Sequence, residues 1–245
     1  MKPLLRALHL SLSLLPLVTL QAQTTGAQQL ALSGLYTSSF QGQFNAVQSD
    51  SSGNIYLVLD QRDGLRLLKL DPTATNVLAQ IHLGAQGDIG LTLALDPAGN
   101  IYAAGTSTSG QLSGTAGVAF PAPADTSVNS FVARFDSTLH EQFLTFTGSG
   151  RTAVASVAAT SDAVFLTGST FAASIPVTPS AIQQSPASGS TQNGFAARFS
   201  TTGQLVYQTY LTAFGGNTAP SSIAADSSDT PPHSRDQTPA PSPPC

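Results

Sequence analysis

The residues that could do chemistry in this chain are few and scattered. Four histidines occur, His9, His82, His140 and His233. His140-Glu141 lacks the second histidine, one helical turn on, that a zinc-protease helix requires. His82 and His140 stand alone in sequence and read as solitary surface histidines. The nearest approach to a serine-hydrolase elbow is Gly105-Thr-Ser107-Thr-Ser109, which has no second glycine. Gly84-Ala-Gln-Gly87 and Gly148-Ser-Gly150 precede neither a lysine nor a helical pattern, so they do not make phosphate cradles. Arg134 and Arg198 recur at one position of a repeated phrase and read as a packing or edge device rather than ligand contacts. No catalytic, cofactor-binding or metal-ligating residue is assigned, and no cofactor is expected.

Carboxylates are the remaining candidates, and their spacing explains them. Asp50, Asp96, Asp162 and Asp226 each fall at or near a tight turn. A calcium site needs six to eight oxygens from several groups, and each turn offers one carboxylate. Asp96-Pro97-Ala98-Gly99 has instead the order of a type I turn. Aspartate accepts backbone N–H groups, proline presets φ, and glycine takes the left-handed position that follows. Asp50-Ser51-Ser52-Gly53 repeats it without proline.

These turns belong to a recurrent phrase. It reads Phe-Asn-Ala-Val-Gln-Ser-Asp-Ser-Ser-Gly-Asn-Ile-Tyr-Leu-Val at 44–58 and Leu-Ala-Leu-Asp-Pro-Ala-Gly-Asn-Ile-Tyr-Ala-Ala-Gly at 93–105. It weakens to Val-Ala-Ala-Thr-Ser-Asp-Ala-Val-Phe-Leu-Thr-Gly at 157–168, then restarts as Ile-Ala-Ala-Asp-Ser-Ser at 223–228 and fails. Short β-branched and aromatic runs between turn signals predict four strands per unit. The first unit places them at 44–48, 55–59, 65–70 and 77–83. The second places them at 91–95, 101–104, 131–135 and 143–146, and the third at 154–159, 164–167, 195–199 and 205–211. Phe131-Val-Ala-Arg-Phe-Asp136 matches Phe195-Ala-Ala-Arg-Phe-Ser200, and Phe143-Leu-Thr-Phe146 matches Tyr207-Gln-Thr-Tyr210. Leu67-Leu-Lys-Leu-Asp71 is the first unit's equivalent third strand. The loop between second and third strands is short in the first unit but spans 105–130 and 168–194 in the others. Each long loop carries an apolar-proline kernel, Phe120-Pro-Ala-Pro123 or Ile175-Pro-Val-Thr-Pro179. Phe120, Phe171 and Ile175 are expected to pin these loops to the blades, with ligand contact as the alternative.

The N-terminal pattern leads us to expect export from the cytoplasm. Lys2 and Arg6, the leucine-rich run 7–20 and Leu20-Gln21-Ala22 have the pattern of a cleaved secretory leader, assigned to residues 1–22. Its apolar run is too short and interrupted for a membrane span. Loss of Lys2 and Arg6 with the leader takes Lys+Arg from 9 to 7 against 13 acidic residues, a net charge of −6. A charged fraction of 9%, against about 25% in ordinary domains, leaves no basic stripe for nucleic acid. The single cysteine, Cys245, excludes an internal disulfide. Residues 23–43 read as a polar linker with one strand near Leu30–Tyr36.

Four-stranded antiparallel units at this spacing read as propeller blades. The order Asp-x-x-Gly-Asn-Ile-Tyr, proline-kernel loop, Phe-Val-Ala-Arg-Phe-Asp, Tyr-x-Thr-Tyr-Leu resembles the bacterial SBBP-type β-propeller repeats, relatives of the NHL group, over about residues 44–226. The resemblance implies a secreted or cell-surface protein and carries no general catalytic residues. The expected fold is thus all-β, an incomplete propeller of about three complete blades. The chemistry changes after Asp226, and the proline-rich stretch 227–245 reads as disordered. That switch reads either as a truncated or frame-shifted reading frame or as a genuine tail. The expected role is a non-catalytic binding or scaffold module, secreted or on the cell surface (the periplasm is the third compartment open to it). Its ligand would be a protein or carbohydrate at the long inter-strand loops. The alternatives are a propeller-class enzyme, such as a lyase or quinone-dependent dehydrogenase, and a gene fragment without independent function.

Overall fold

The computed structural model describes residues 42–213 and 217–226. The leader, the strand expected near Leu30–Tyr36 and the proline-rich stretch 227–245 lie outside the described residues. Among the described residues twelve strands form three sheets, each a four-stranded antiparallel meander. Blade 1 comprises β1 (Gln43–Ser49), β2 (Ile55–Gln61), β3 (Gly64–Leu70) and β4 (Val77–Leu83). Blade 2 comprises β5 (Ile89–Leu95), β6 (Ile101–Ser107), β7 (Asn129–Phe135) and β8 (Glu141–Gly150). Blade 3 comprises β9 (Thr152–Ala159), β10 (Ala163–Thr170), β11 (Asn193–Ser200) and β12 (Leu205–Leu211). Over the described residues the fold is all-β with three blades, and each of the twelve strands expected between 44 and 211 lies within one of these twelve. Among the described residues no helix is long and apolar enough to cross a membrane. The restart at 223–226 forms no strand; the Ile223 N–H donates to Ser156 Oγ on β9 at 3.3 Å.

Blades stack face to face, the first strand of each lying on the sheet before it: β5 on β1, β2 and β3, and β9 on β5, β6 and β7. Alternation along the strands sends one set of side chains into each junction. Tyr56, Val58, Leu65 and Leu67 of blade 1 meet Leu93, Ile101, Phe131 and Phe146 of blade 2. Tyr102, Val132 and Phe143 of blade 2 meet Val157, Val164, Leu166, Phe195 and Tyr210 of blade 3. A bulge recurs at the same place in all three first strands, at Asn45, Leu91 and Ala155. Asn45 uses its bulge to bracket two blades. Its amide donates to Asp60 at 2.5 Å and to the Gly90 carbonyl at 2.6 Å, while the Gly90 N–H donates to Asp60 at 2.9 Å. Burial pushes the Asp60 carboxyl above its usual range, opposed by those bonds.

The recurrent phrase is one hairpin device. Asp96 Oδ1 accepts the N–H groups of Ala98 and Asn100, both at 2.9 Å, and Oδ2 accepts the Asn100 amide at 2.8 Å and the Tyr102 hydroxyl at 3.4 Å. Asp50 does the same for Ser52, Asn54 and Tyr56. Gly53 and Gly99 hold φ of 82° and 80°, as the turn demands. Burial works to raise the Asp50 carboxyl, but its bonds to Asn54, Tyr56 and Ser52 outweigh that and hold it below the usual range. Desolvation, with Asp50 as acceptor, pushes the Tyr56 hydroxyl up to about 12. Blade 3 departs from this scheme, although Asp162 does lie in its turn. Thr160 occupies the aspartate position of a shorter turn, its N–H bonded to the Ala163 carbonyl at 2.9 Å. Asp162 Oδ1 accepts the Thr160 hydroxyl within the turn and Oδ2 accepts from Arg198, both at 2.6 Å. Phe165 replaces the tyrosine, so no buried hydroxyl is left without its carboxylate.

Asp96 is 5% exposed, so Asp96→Ala strands two backbone N–H groups and the Tyr102 hydroxyl. We expect a loss of about 2–3 kcal/mol, read as a lower urea midpoint at unchanged slope. Thr160→Ala, which removes one hydroxyl, should cost under about 1 kcal/mol. Equal losses from the two substitutions would contradict the shared-acceptor account of the phrase.

Candidate functional site

The recurrent arginines are spent on packing between and within blades, and a lysine joins them. Lys69, Arg134 and Arg198 face Tyr56, Tyr102 and Phe165 across the second and third strands of their blades. Each cation lies over that ring, at 5.4, 5.8 and 5.6 Å from its centroid. Lys69 Nζ then donates to the Ser137 carbonyl of blade 2 at 2.9 Å, and Arg134 Nη1 to the Thr201 carbonyl of blade 3 at 3.0 Å. Arg198 instead pairs with Asp162 in its own blade.

The two histidines among the described residues, His82 and His140, have separate partners. His82 Nε2 sits 3.0 Å from the Asp63 carbonyl, and His140 is 88% exposed beside Asp136. Ser109 Oγ donates to Asp88 at 2.6 Å, so the serines of 105–109 serve a loop.

Backbone hydrogen bonds hold the long loops. Each runs along the outer edge of its own blade. The Thr115 N–H donates to the Leu144 carbonyl at 2.9 Å and the Phe146 N–H to the Phe120 carbonyl at 3.0 Å. In blade 3 the Thr178 N–H donates to Gln208 and the Tyr210 N–H to Gln183, both at 3.1 Å. The kernels thereby cover the open hydrogen-bonding rows of β8 and β12. Phe120 packs against both junction clusters and Ile175 is 6% exposed, so both pin their loops. Phe171 is different, at 44% exposed.

Phe171 lines an open cleft of about 640 Å³ beside the junction of blades 2 and 3, with Thr108, Thr126, Ser127, Val128, Arg151, Thr152 and Ala153. Val128 is also exposed, at 39%. A second hollow shares Thr108, Thr126 and Ser127 and adds Asp125 and Asn129. The backbone that shapes the cleft is itself repeated. Between blades 1 and 2 the Thr108 N–H donates to the Gly87 carbonyl at 3.2 Å; between blades 2 and 3 the Phe171 N–H donates to the Arg151 carbonyl at 2.9 Å. Both donors follow a second strand and both acceptors precede a first strand. Both acceptors are left-handed, with φ of 100° at Gly87 and 54° at Arg151. Glycine takes that conformation freely, whereas a side chain there costs about 1–2 kcal/mol. The second junction therefore carries Arg151 and an exposed ring where the first carries Gly87 and Thr108, against local strain. The Arg151 N–H is held by Ser127 Oγ at 2.8 Å.

Polar groups ring this ring-and-cation pair. Hydrogen bonds from Ser127, with the Arg151 charge as a smaller contribution, hold the Asp125 carboxyl below its usual range. A half-exposed aromatic ring, a guanidinium and several hydroxyls on an open cleft, with the Asp125 carboxylate in the adjoining hollow, are groups that bind a polar ligand with one apolar face. Neither Arg151 nor the exposure of Phe171 is assigned by sequence. The signal that could have found Arg151 is the alignment of the two blade connections, hidden because one runs 84–88 and the other is Arg151 alone.

No family model matches the chain, and no curated protein matches it. Among solved structures, the crystal structure of RRP9 WD40 repeats is similar, with a TM-score of 0.46 and 10% identity over 76% of this chain. The chain spans 42% of that structure's length.

Proposed function

We propose that this chain is an exported, non-catalytic repeat module of the SBBP type that binds carbohydrate in the cleft between blades 2 and 3. One observation carries the reading: Arg151 and Phe171 replace Gly87 and Thr108 at equivalent points of otherwise repeated junctions, and Arg151 does so in a left-handed conformation. Strained, exposed residues on a rigid scaffold are where binding functions concentrate. A pyranose offers an apolar face for the ring and vicinal hydroxyls for a guanidinium and carboxylate. A protein ligand is the other outcome that the binding test below separates.

Export is the second half of the proposal, supported by the pattern of residues 1–22. Protein expressed with its native leader should be recovered outside the cytoplasm with Gln23 at its N-terminus, read by terminal sequencing. Recovery solely from the cytoplasm with the leader intact would contradict it.

A further inference from the structure

We infer that β4 of blade 1 is a self-association edge, on which a second copy of this chain docks its own β4 antiparallel. The three outer strands hold equivalent positions, and two of them are covered. At Leu144 of β8 and Gln208 of β12 the backbone N–H and C=O turn outward to Thr115 and Thr178 of the long loops. Gln80 occupies the same register in β4: it stands opposite Leu68, as Leu144 stands opposite Ala133 and Gln208 opposite Ala197. Blade 1 has only the tight connection Arg62-Asp63 between its second and third strands, and none of the described residues runs along β4. Among the described residues the edge is therefore open where its two counterparts are covered.

The composition of the edge favours a second copy over an unrelated strand. β4 reads Val-Leu-Ala-Gln-Ile-His-Leu, with no proline, no carboxylate, no lysine and no arginine. Natural edges are protected by such charges or by cover, and β4 has neither. Leu78 is 53% exposed. The strand is also compatible with itself. Antiparallel pairing about a two-fold axis at Gln80 sets Gln80 against its symmetry mate, Ala79 against Ile81 and Leu78 against His82. No like charges then stand opposite each other at neutral pH. The outward N–H and C=O of Gln80 bond those of the partner's Gln80, and the two sheets become one sheet of eight strands. This association is independent of the carbohydrate cleft, which lies at another junction.

Sedimentation equilibrium of the native chain, from micromolar to hundreds of micromolar, should show a reversible monomer–dimer equilibrium. Gln80→Pro removes one outward N–H without touching a bond to β3 and should leave a monomer with unchanged far-ultraviolet dichroism. Gln80→Lys sets like charges opposite each other and should weaken the dimer about tenfold or more; it keeps the test alive if the proline variant does not fold. A native chain that stays monomeric throughout would overturn the proposal. So would folded variants that dimerise as the native chain does.

Discussion

Replacing Phe131 by alanine should destabilise the chain by about 3–5 kcal/mol, the range for emptying a buried aromatic site. Phe131 is 0% exposed, in the cluster that joins blades 1 and 2. It stands between Gly105 on β6 and Phe146 on β8. A side chain cannot replace the lost ring from the β6 side, because a Cβ on Gly105 would lie 1.9 Å from the Ile89 carbonyl oxygen. The cavity thus stays open, and a domain with about 5–15 kcal/mol in total loses a large share of its stability. Phe131→Leu keeps most of the volume and should cost under about 2 kcal/mol. Blade 3 repeats the arrangement with Phe195 between Gly168 and Tyr210. Chemical denaturation monitored by tyrosine fluorescence reads both variants. A loss under about 1 kcal/mol for Phe131→Ala would mean that the blades are not held by this junction.

Phe171→Ala should weaken oligosaccharide binding about tenfold or more, the scale of an exposed aromatic anchor at a binding site. It should leave stability within about 0.5 kcal/mol, because the ring is half in solvent. Arg151→Gly is expected to separate the two properties further. It removes the guanidinium from the cleft and relieves a left-handed side chain, so binding falls while the melting temperature holds or rises. A functional residue maintained against strain gives that opposite pair of changes, and a packing residue does not. Titration calorimetry and thermal melting on one preparation measure both. A variant that loses stability while retaining affinity would place Arg151 in the fold rather than in the site.

The strands and turns of this fold are legible in its sequence because local chemistry specifies them. Asp96, Gly99, Asn100 and Tyr102 act within seven residues of one another, so their spacing alone announces the hairpin. Repetition of Phe131 and Phe195 likewise announces equivalent third strands. The site is less legible because its parts come from distant places. Ser127, Arg151 and Phe171 meet only after two blades have stacked. Nothing in a proline kernel shows that residues 115–120 will run along the edge of β8 instead of standing on a face. Asp162 is less legible for a related reason. Its turn is one residue shorter than its counterparts, so the carboxylate takes the Thr160 hydroxyl and Arg198 rather than the backbone N–H groups of the turn.

The most direct test combines the two departures. Arg151→Gly/Phe171→Thr makes the junction of blades 2 and 3 like that of blades 1 and 2, and the probe is a panel of soluble oligosaccharides (cellohexaose, xylohexaose, chitohexaose and an oligouronate) titrated calorimetrically. The native chain should bind at least one of them saturably, and the double variant, folded and no less stable, should bind it about tenfold more weakly or not at all. Equal binding by both proteins, or no binding of any member by the native chain, would contradict the assignment of this cleft as a carbohydrate site.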